Sequence, residues 1–286
     1  MKIWHQSFTD LTTMPLYAKT IDAHARRIMA PGTTVVPHGL RPGTYANGVA
    51  PIDAIKYRYL EALNEQQVCE AALTAEREGY DAVAIGCFFD PALRSLRSLV
   101  DIPVVSLAES CMLIACSVGR AFGLVTLCVD EVDHLRDVAR SYGLAARLAS
   151  VIGLTPGIDE HDLEGSHEEA GPILQNAERA CRRVIEAGAD VIIPGDGVLN
   201  EFLVRHEVTE IDGVPVLDSL GVLFHHAEML AKLHRSTGLT ASRRQYYAKP
   251  PPDLLAVARD FAGARDLASS EFSTVPDDRP SDGTGS

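Results

Sequence analysis

Apolar positions along this 286-residue chain fall into two alternating patterns. Short runs rich in Val, Ile and Leu occur at 2–4, 33–37, 82–85, 103–107, 123–127, 151–154, 191–193 and 214–217. Their length and β-branching predict buried strands. Between them, segments 16–29, 52–78, 92–99, 109–120, 132–142, 171–187, 198–205 and 221–233 repeat apolar residues at three- and four-residue spacing, which predicts amphipathic helices. Alternation of this kind closes as a mostly parallel sheet with helices on both faces, an α/β fold.

Two of these strand regions look like copies of one unit. Residues 78–87 read EGYDAVAIGC and residues 187–196 read AGADVIIPGD. Gly79, Asp81 and Gly86 therefore match Gly188, Asp190 and Gly195, and Cys87 falls opposite Asp196. The register carries on into 100–105 (VDIPVV) and 211–217 (IDGVPVL). A duplicated unit predicts two pseudo-symmetric lobes, 1–110 plus 221–264 and 111–220, with the site in the cleft between them. Ligand-facing positions in such sheets lie beyond the carboxyl ends of the strands, so loops 5–9, 39–47, 87–90, 126–130 and 195–199 should ring one crevice. Residues 265–286, rich in Ser, Asp, Pro and Gly, predict a disordered tail.

Within that crevice Cys87 and Asp196 are the candidate catalytic pair. A thiol at a strand end facing a helix N-terminus would have its pKa lowered from about 8.5, making a base or nucleophile; a cysteine that merely packs is the alternative. Asp196, between Gly195 and Gly197, reads equally as an ordinary N-cap, and a reversible proton role would require burial to raise its pKa. Substrate contacts are expected from Gln6 and Ser7 in the first loop, Tyr45 as a wall, Phe88, Glu109 and Thr126. Gly197 and Val198 are expected beside them, since the N–H groups after Cys87 and Asp196 would suit a developing enolate oxygen. Glu109, Asp218 and Ser219 also read as helix N-caps.

Composition narrows the partner. A net charge of −13 without basic clusters argues against a nucleic-acid or anionic-membrane surface and leaves a small-molecule substrate. No apolar run approaches the eighteen or so residues of a membrane span, so a cytoplasmic location is expected. Of six cysteines only Cys111 and Cys116 lie close, and His225 and His226 face apart on a helix, so neither zinc nor a disulfide is expected. No Gly-x-Gly-x-x-Gly or phosphate loop is present, and no cofactor is expected.

The chain resembles the aspartate, glutamate and hydantoin racemase superfamily, nearest its hydantoin racemase branch, over about residues 1–235. The resemblance rests on 84–91 (AIGCFFDP), 101–110 (DIPVVSLAES), 122–126 (FGLVT) and 188–195 (GADVIIPG). It implies a two-lobe α/β fold, no cofactor, a homo-oligomer, and two cysteines on opposite sides of an acidic Cα–H, one removing the proton and the other returning it. Cys87 matches the first cysteine, whereas the second Gly-Cys reads Gly195-Asp196 here. The expected function is thus racemisation of a small carbonyl compound, hydantoin-like or an amino-acid derivative, by Cys87 and Asp196. A Cys87-dependent hydrolase, cis–trans isomerase or decarboxylase is the alternative.

Overall fold

The computed structural model describes residues 1–45, 48–165 and 170–275. Four strands, β1 (Lys2–Gln6), β2 (Thr34–His38), β3 (Ala82–Ile85) and β4 (Val104–Ser106), form a parallel sheet in the order β2-β1-β3-β4. A second parallel sheet joins β5 (Phe122–Thr126), β6 (Leu148–Gly153) and β7 (Val191–Pro194) in the order β6-β5-β7. β5 therefore occupies the place of β1, β6 that of β2 and β7 that of β3.

The counterpart of β4 is vestigial. The predicted strand 214–217 supplies only β9 (Val214–Pro215), paired antiparallel with β8 (Glu210–Ile211), while Val216 makes a single parallel bridge to Ile192. The shared glycines are equivalent in conformation as well as in sequence: Gly79 and Gly188 both take positive φ, +76° and +98°, where an L side chain would be strained.

Ten helices of the described residues connect these strands: α1 (Pro15–Ile28), α2 (Pro51–Ile55), α3 (Arg58–Arg77), α4 (Leu93–Leu99), α5 (Leu107–Val118), α6 (Val132–Ser141), α7 (Ala170–Glu186), α8 (Gly197–Arg205), α9 (Ser219–Thr237) and α10 (Pro252–Phe261). None is long and apolar enough to cross a membrane. The continuous helix expected over 52–78 is broken at Lys56 and Tyr57, where Tyr57 turns extended (φ −89°, ψ 106°). Apolar spacing carries across that break, so periodicity alone did not reveal it.

Period-two alternation explains the core. Ile3, Ala82 and Ala84 point to one face of the first sheet and Trp4, Val83 and Ile85 to the other, all fully buried. The Ile3 face merges, through α1, α5 and α9, with Leu124, Val125 and Ile192 of the second sheet into one apolar cluster. Polar ties lie on the same seam. Glu164 accepts hydrogen bonds from the Leu16 and Tyr17 N–H groups at the start of α1 (2.9 and 2.7 Å). His24 of α1 meets Glu201 of α8 at 2.7 Å and Asp218 at 2.9 Å. Burial works against its charge, but the two carboxylates hold its pKa up, to about 9.

The expectation of a tail over 265–286 is corrected for its first part. Leu267 and Phe272 are buried, Phe272 edge-on to Trp4, and Thr274 bridges to His38. The Ser273 hydroxyl donates to Leu40 O (2.6 Å) and accepts from Leu11 N (2.9 Å). Two apolar anchors and backbone pairing beside the edge strand β2 suffice to order a segment of polar composition. Residues 276–286 lie outside the described residues.

Candidate active site

Cys87 and Asp196 each stand two residues past the end of an equivalent strand, β3 and β7. Both turns are compressed against neighbours. A Cβ on Gly86 would stand 2.2 Å from His5 Nε2. One on Gly197 would stand 2.8 Å from the Tyr17 hydroxyl and 3.2 Å from the Gly86 carbonyl oxygen. Glycine at these positions lets the two turns meet, and the two side chains line one inner cavity of about 40 Å3. Pro51, Ile55 and Phe89 also border it, and through Ile55, Phe89 and Glu131 it adjoins an outer chamber of about 290 Å3.

The inner cavity is acidic. Glu131 and Glu160 line it beside Asp196, and no lysine or arginine does so among the described residues. Asp196 is the N-cap of α8, its Oδ1 accepting from Val198 N (2.8 Å) and Leu199 N (2.9 Å). Burial nonetheless pushes its pKa above the usual aspartate value, the condition a reversible proton role would require. Glu160, with both oxygens on Ile52 N (3.0 and 3.2 Å), is pushed well up by burial and by the Asp196 charge. Glu131, which accepts from the Thr126 hydroxyl, is raised to about 8 by burial and by Asp196.

The raised Glu131 pKa has a consequence for stability. Between its ordinary value of 4.5 and about 8 the folded protein keeps a proton that the unfolded chain has released. The contribution is full below 4.5 and is lost as pH rises through about 8. Glu131→Gln keeps the shape without the charge. Its thermal midpoint should fall less than that of the parent between about pH 5 and about pH 8.5, by scanning calorimetry, and an identical fall in both proteins would refute the assignment.

The expectation of an acidic Cys87 thiol is overturned. Burial pushes its pKa well above the ordinary value, with the charges of Asp196, Glu61 and Asp90 adding to that and the Phe89 N–H opposing it. The expected helix dipole is not adjacent. α4 starts only at Leu93, after a turn in which Asp90 and Ala92 have positive φ, and the Asp90 carboxylate instead caps α5 through Ala108 N (2.9 Å) and Glu109 N (3.0 Å). At rest the proton therefore belongs on sulfur.

Ser7, Phe88, Gly197 and Val198 line the cavity as expected. Four expected contacts do not. Gln6 turns away, accepting from Trp4 Nε1 (2.9 Å) and donating to Ser7 O (2.9 Å). Tyr45 lies behind the wall, donating to Phe8 O (2.6 Å). Thr126 sits behind Glu131. Glu109 pairs with the Arg97 guanidinium on the far side of β4. In each case another protein group satisfies the polar side chain: a near neighbour for Gln6 and Thr126, and a more distant residue of the chain for Tyr45 and Glu109.

The sequence reading missed Glu131, Glu160 and Tyr17. The rule that loops after parallel strands ring the crevice brings the first two near it, but nothing distinguishes them among 39 acidic residues. Tyr17 is two residues into α1, where apolar periodicity marks it simply as core.

The chain is similar in sequence and fold to known racemases. The Asp/Glu/hydantoin racemase family model matches residues 17–227. The hydantoin racemase of Paenarthrobacter aurescens is 29% identical over 228 residues, 79% of this chain and 89% of that protein. The hydantoin racemase of Pseudomonas sp. (strain NS671) is 32% identical over 184 residues, 64% of this chain and 72% of its own length. Among solved structures, the allantoin racemase of Pseudomonas fluorescens superposes with a TM-score of 0.70 at 26% identity, covering 88% of this chain and 98% of that one. With a family match over most of its length and the same fold in a solved racemase, the chain belongs to the Asp/Glu/hydantoin racemase family.

Proposed function

We propose that the protein racemises a neutral cyclic ureide of the hydantoin or allantoin kind by moving a proton at the ring carbon between Cys87 and Asp196. The carrying observation is one cavity lined by this thiol, the half-buried Asp196 and two buried glutamates, with no lysine or arginine among the described residues. A substrate carboxylate there would face the Asp196 carboxylate in a poorly solvated site with no cation to pair it, whereas a neutral ring bearing N–H donors would meet carboxyl oxygens as acceptors. That weighs against the alternatives that take carboxylates, decarboxylation and dicarboxylate cis–trans isomerisation. The names of the relatives, hydantoin and allantoin racemases, support the same substrate class.

In this reading one proton is shared by the pair. With Cys87 as thiol and Asp196 as carboxylate, Asp196 takes the Cα proton from one face and Cys87 delivers its own to the other, forming the mirror-image ring. The enzyme is left as thiolate and carboxylic acid, the form that runs the reverse reaction. Because burial raises both pKa values, a proton held by either group is easily kept from water until the ring carbon takes it.

The test uses enantiopure 5-substituted hydantoin, allantoin and free aspartate in D2O, each followed by optical rotation and proton NMR. Rotation of a ureide should decay above the uncatalysed rate while deuterium enters its Cα position, and aspartate should be unchanged. Turnover without deuterium at carbon, or release of carbon dioxide, would exclude the proposal.

A further inference from the structure

Loss of a Cα proton leaves negative charge on the neighbouring carbonyl oxygen, and a donor must receive it. The N–H groups after Asp196 do not serve, since Gly197, Val198 and Leu199 all turn back on its own carboxylate. On the other side the Phe89 N–H is engaged by Cys87. Among the cavity's hydroxyls, that of Thr9 points to Met14 Sδ (3.4 Å). Tyr17 is different. It is 3% exposed, lines the cavity, and brings its hydroxyl to the seam of the two turns, 2.8 Å from the point where a Gly197 Cβ would stand.

We propose that the Tyr17 hydroxyl is a catalytic residue, donating the hydrogen bond that stabilises the enolate oxygen formed between the two proton transfers. The proposal rests on the proton-transfer reading above. The pair of electrons from the broken C–H bond moves into the ring carbonyl, the proton goes to Cys87 or Asp196, and Tyr17 keeps its own proton throughout. Burial and the charges of Asp196 and Glu201 keep Tyr17 protonated, with Ser7 opposing them through a hydrogen bond. The backbone of Tyr17 is fixed by Glu164, so the ring is held against the seam before substrate arrives.

Tyr17→Phe removes one oxygen and keeps the ring beside Gly197. Removal of one oxyanion donor costs about 10²–10³ in kcat, so kcat for hydantoin racemisation should fall about a hundredfold or more with KM changed less than about threefold. Deuterium entry at Cα should slow in parallel. Ser7→Ala, measured alongside with circular dichroism to verify folding, should lose about tenfold or less, because it removes a hydrogen-bond partner of Tyr17 and leaves the Tyr17 hydroxyl in place. A Tyr17→Phe enzyme within about twofold of parental kcat, or one whose loss lies wholly in KM, overturns the proposal. If the parent exchanges Cα hydrogen and Tyr17→Phe does so equally fast, only the role of Tyr17 falls. If the parent exchanges none, the proton-transfer reading falls and this inference with it.

Discussion

Cys87→Ser should lower the racemisation rate by about 10³-fold or more, the upper part of the range for loss of a positioned acid–base group. Serine keeps the size of the side chain, so the turn after β3 and the contact of Gly86 with His5 should survive. Its hydroxyl is far too weak an acid to trade a proton with a carboxyl. The diagnostic lies in which enantiomer still exchanges. With Asp196 intact, the enantiomer whose Cα–H faces Asp196 should take up deuterium with retention, and its mirror image should be inert. Polarimetry and proton NMR on the two separate enantiomers check this. Equal residual exchange in both would mean that Cys87 is not a base for one face.

Asp196→Asn is the complementary case, with an expected loss of about 10²–10⁴-fold. Asparagine caps a helix about as well as aspartate, so α8 should keep its start and the loss should be chemical, not structural. Removing the charge also acts on sulfur. Asp196 is one of the groups that hold the Cys87 thiol high, so its pKa should fall in the variant. The pH profile of alkylation by iodoacetamide, read at Cys87 by mass spectrometry, should move to lower pH. An unmoved profile would mean that the two side chains do not sense one another. Since the two enantiomers have equal free energy, kcat/KM must be equal in both directions for the parent, though kcat and KM separately need not be.

The two predictions depend on features of unequal visibility. The duplicated pattern around Gly79, Gly86, Gly188 and Gly195 was legible because each glycine is demanded by local backbone geometry or by a crowded turn, and such demands are written at single positions. The strands were legible for a similar reason: burial on both faces leaves continuous apolar runs. The break at Tyr57 was hidden because α2 and α3 keep the same apolar spacing across it. The docking of 265–275 was hidden because two anchors, Leu267 and Phe272, are too few to alter composition.

At the site the division is sharper. The pairing of Cys87 with Asp196 followed from repeat register alone, because equivalent strands deliver equivalent turns to one cleft. The sign of the Cys87 pKa shift did not follow. It depends first on burial of the thiol and then on the charges of Asp196, Glu61 and Asp90, two of them brought in from distant parts of the chain, with no helix dipole close enough to oppose them. Tyr17, Glu131 and Glu160 likewise became part of the cavity only when α1 and the loops after β5 and β6 were folded over it. The sequence by itself determined the fold class, the duplication and the placing of Cys87 and Asp196 after equivalent strands, since these rest on periodicity and local backbone rules. Tertiary structure alone decided the acidity, size and hydrogen-bond supply of the cavity, since electrostatics and packing in a buried space depend on distance and not on separation along the chain.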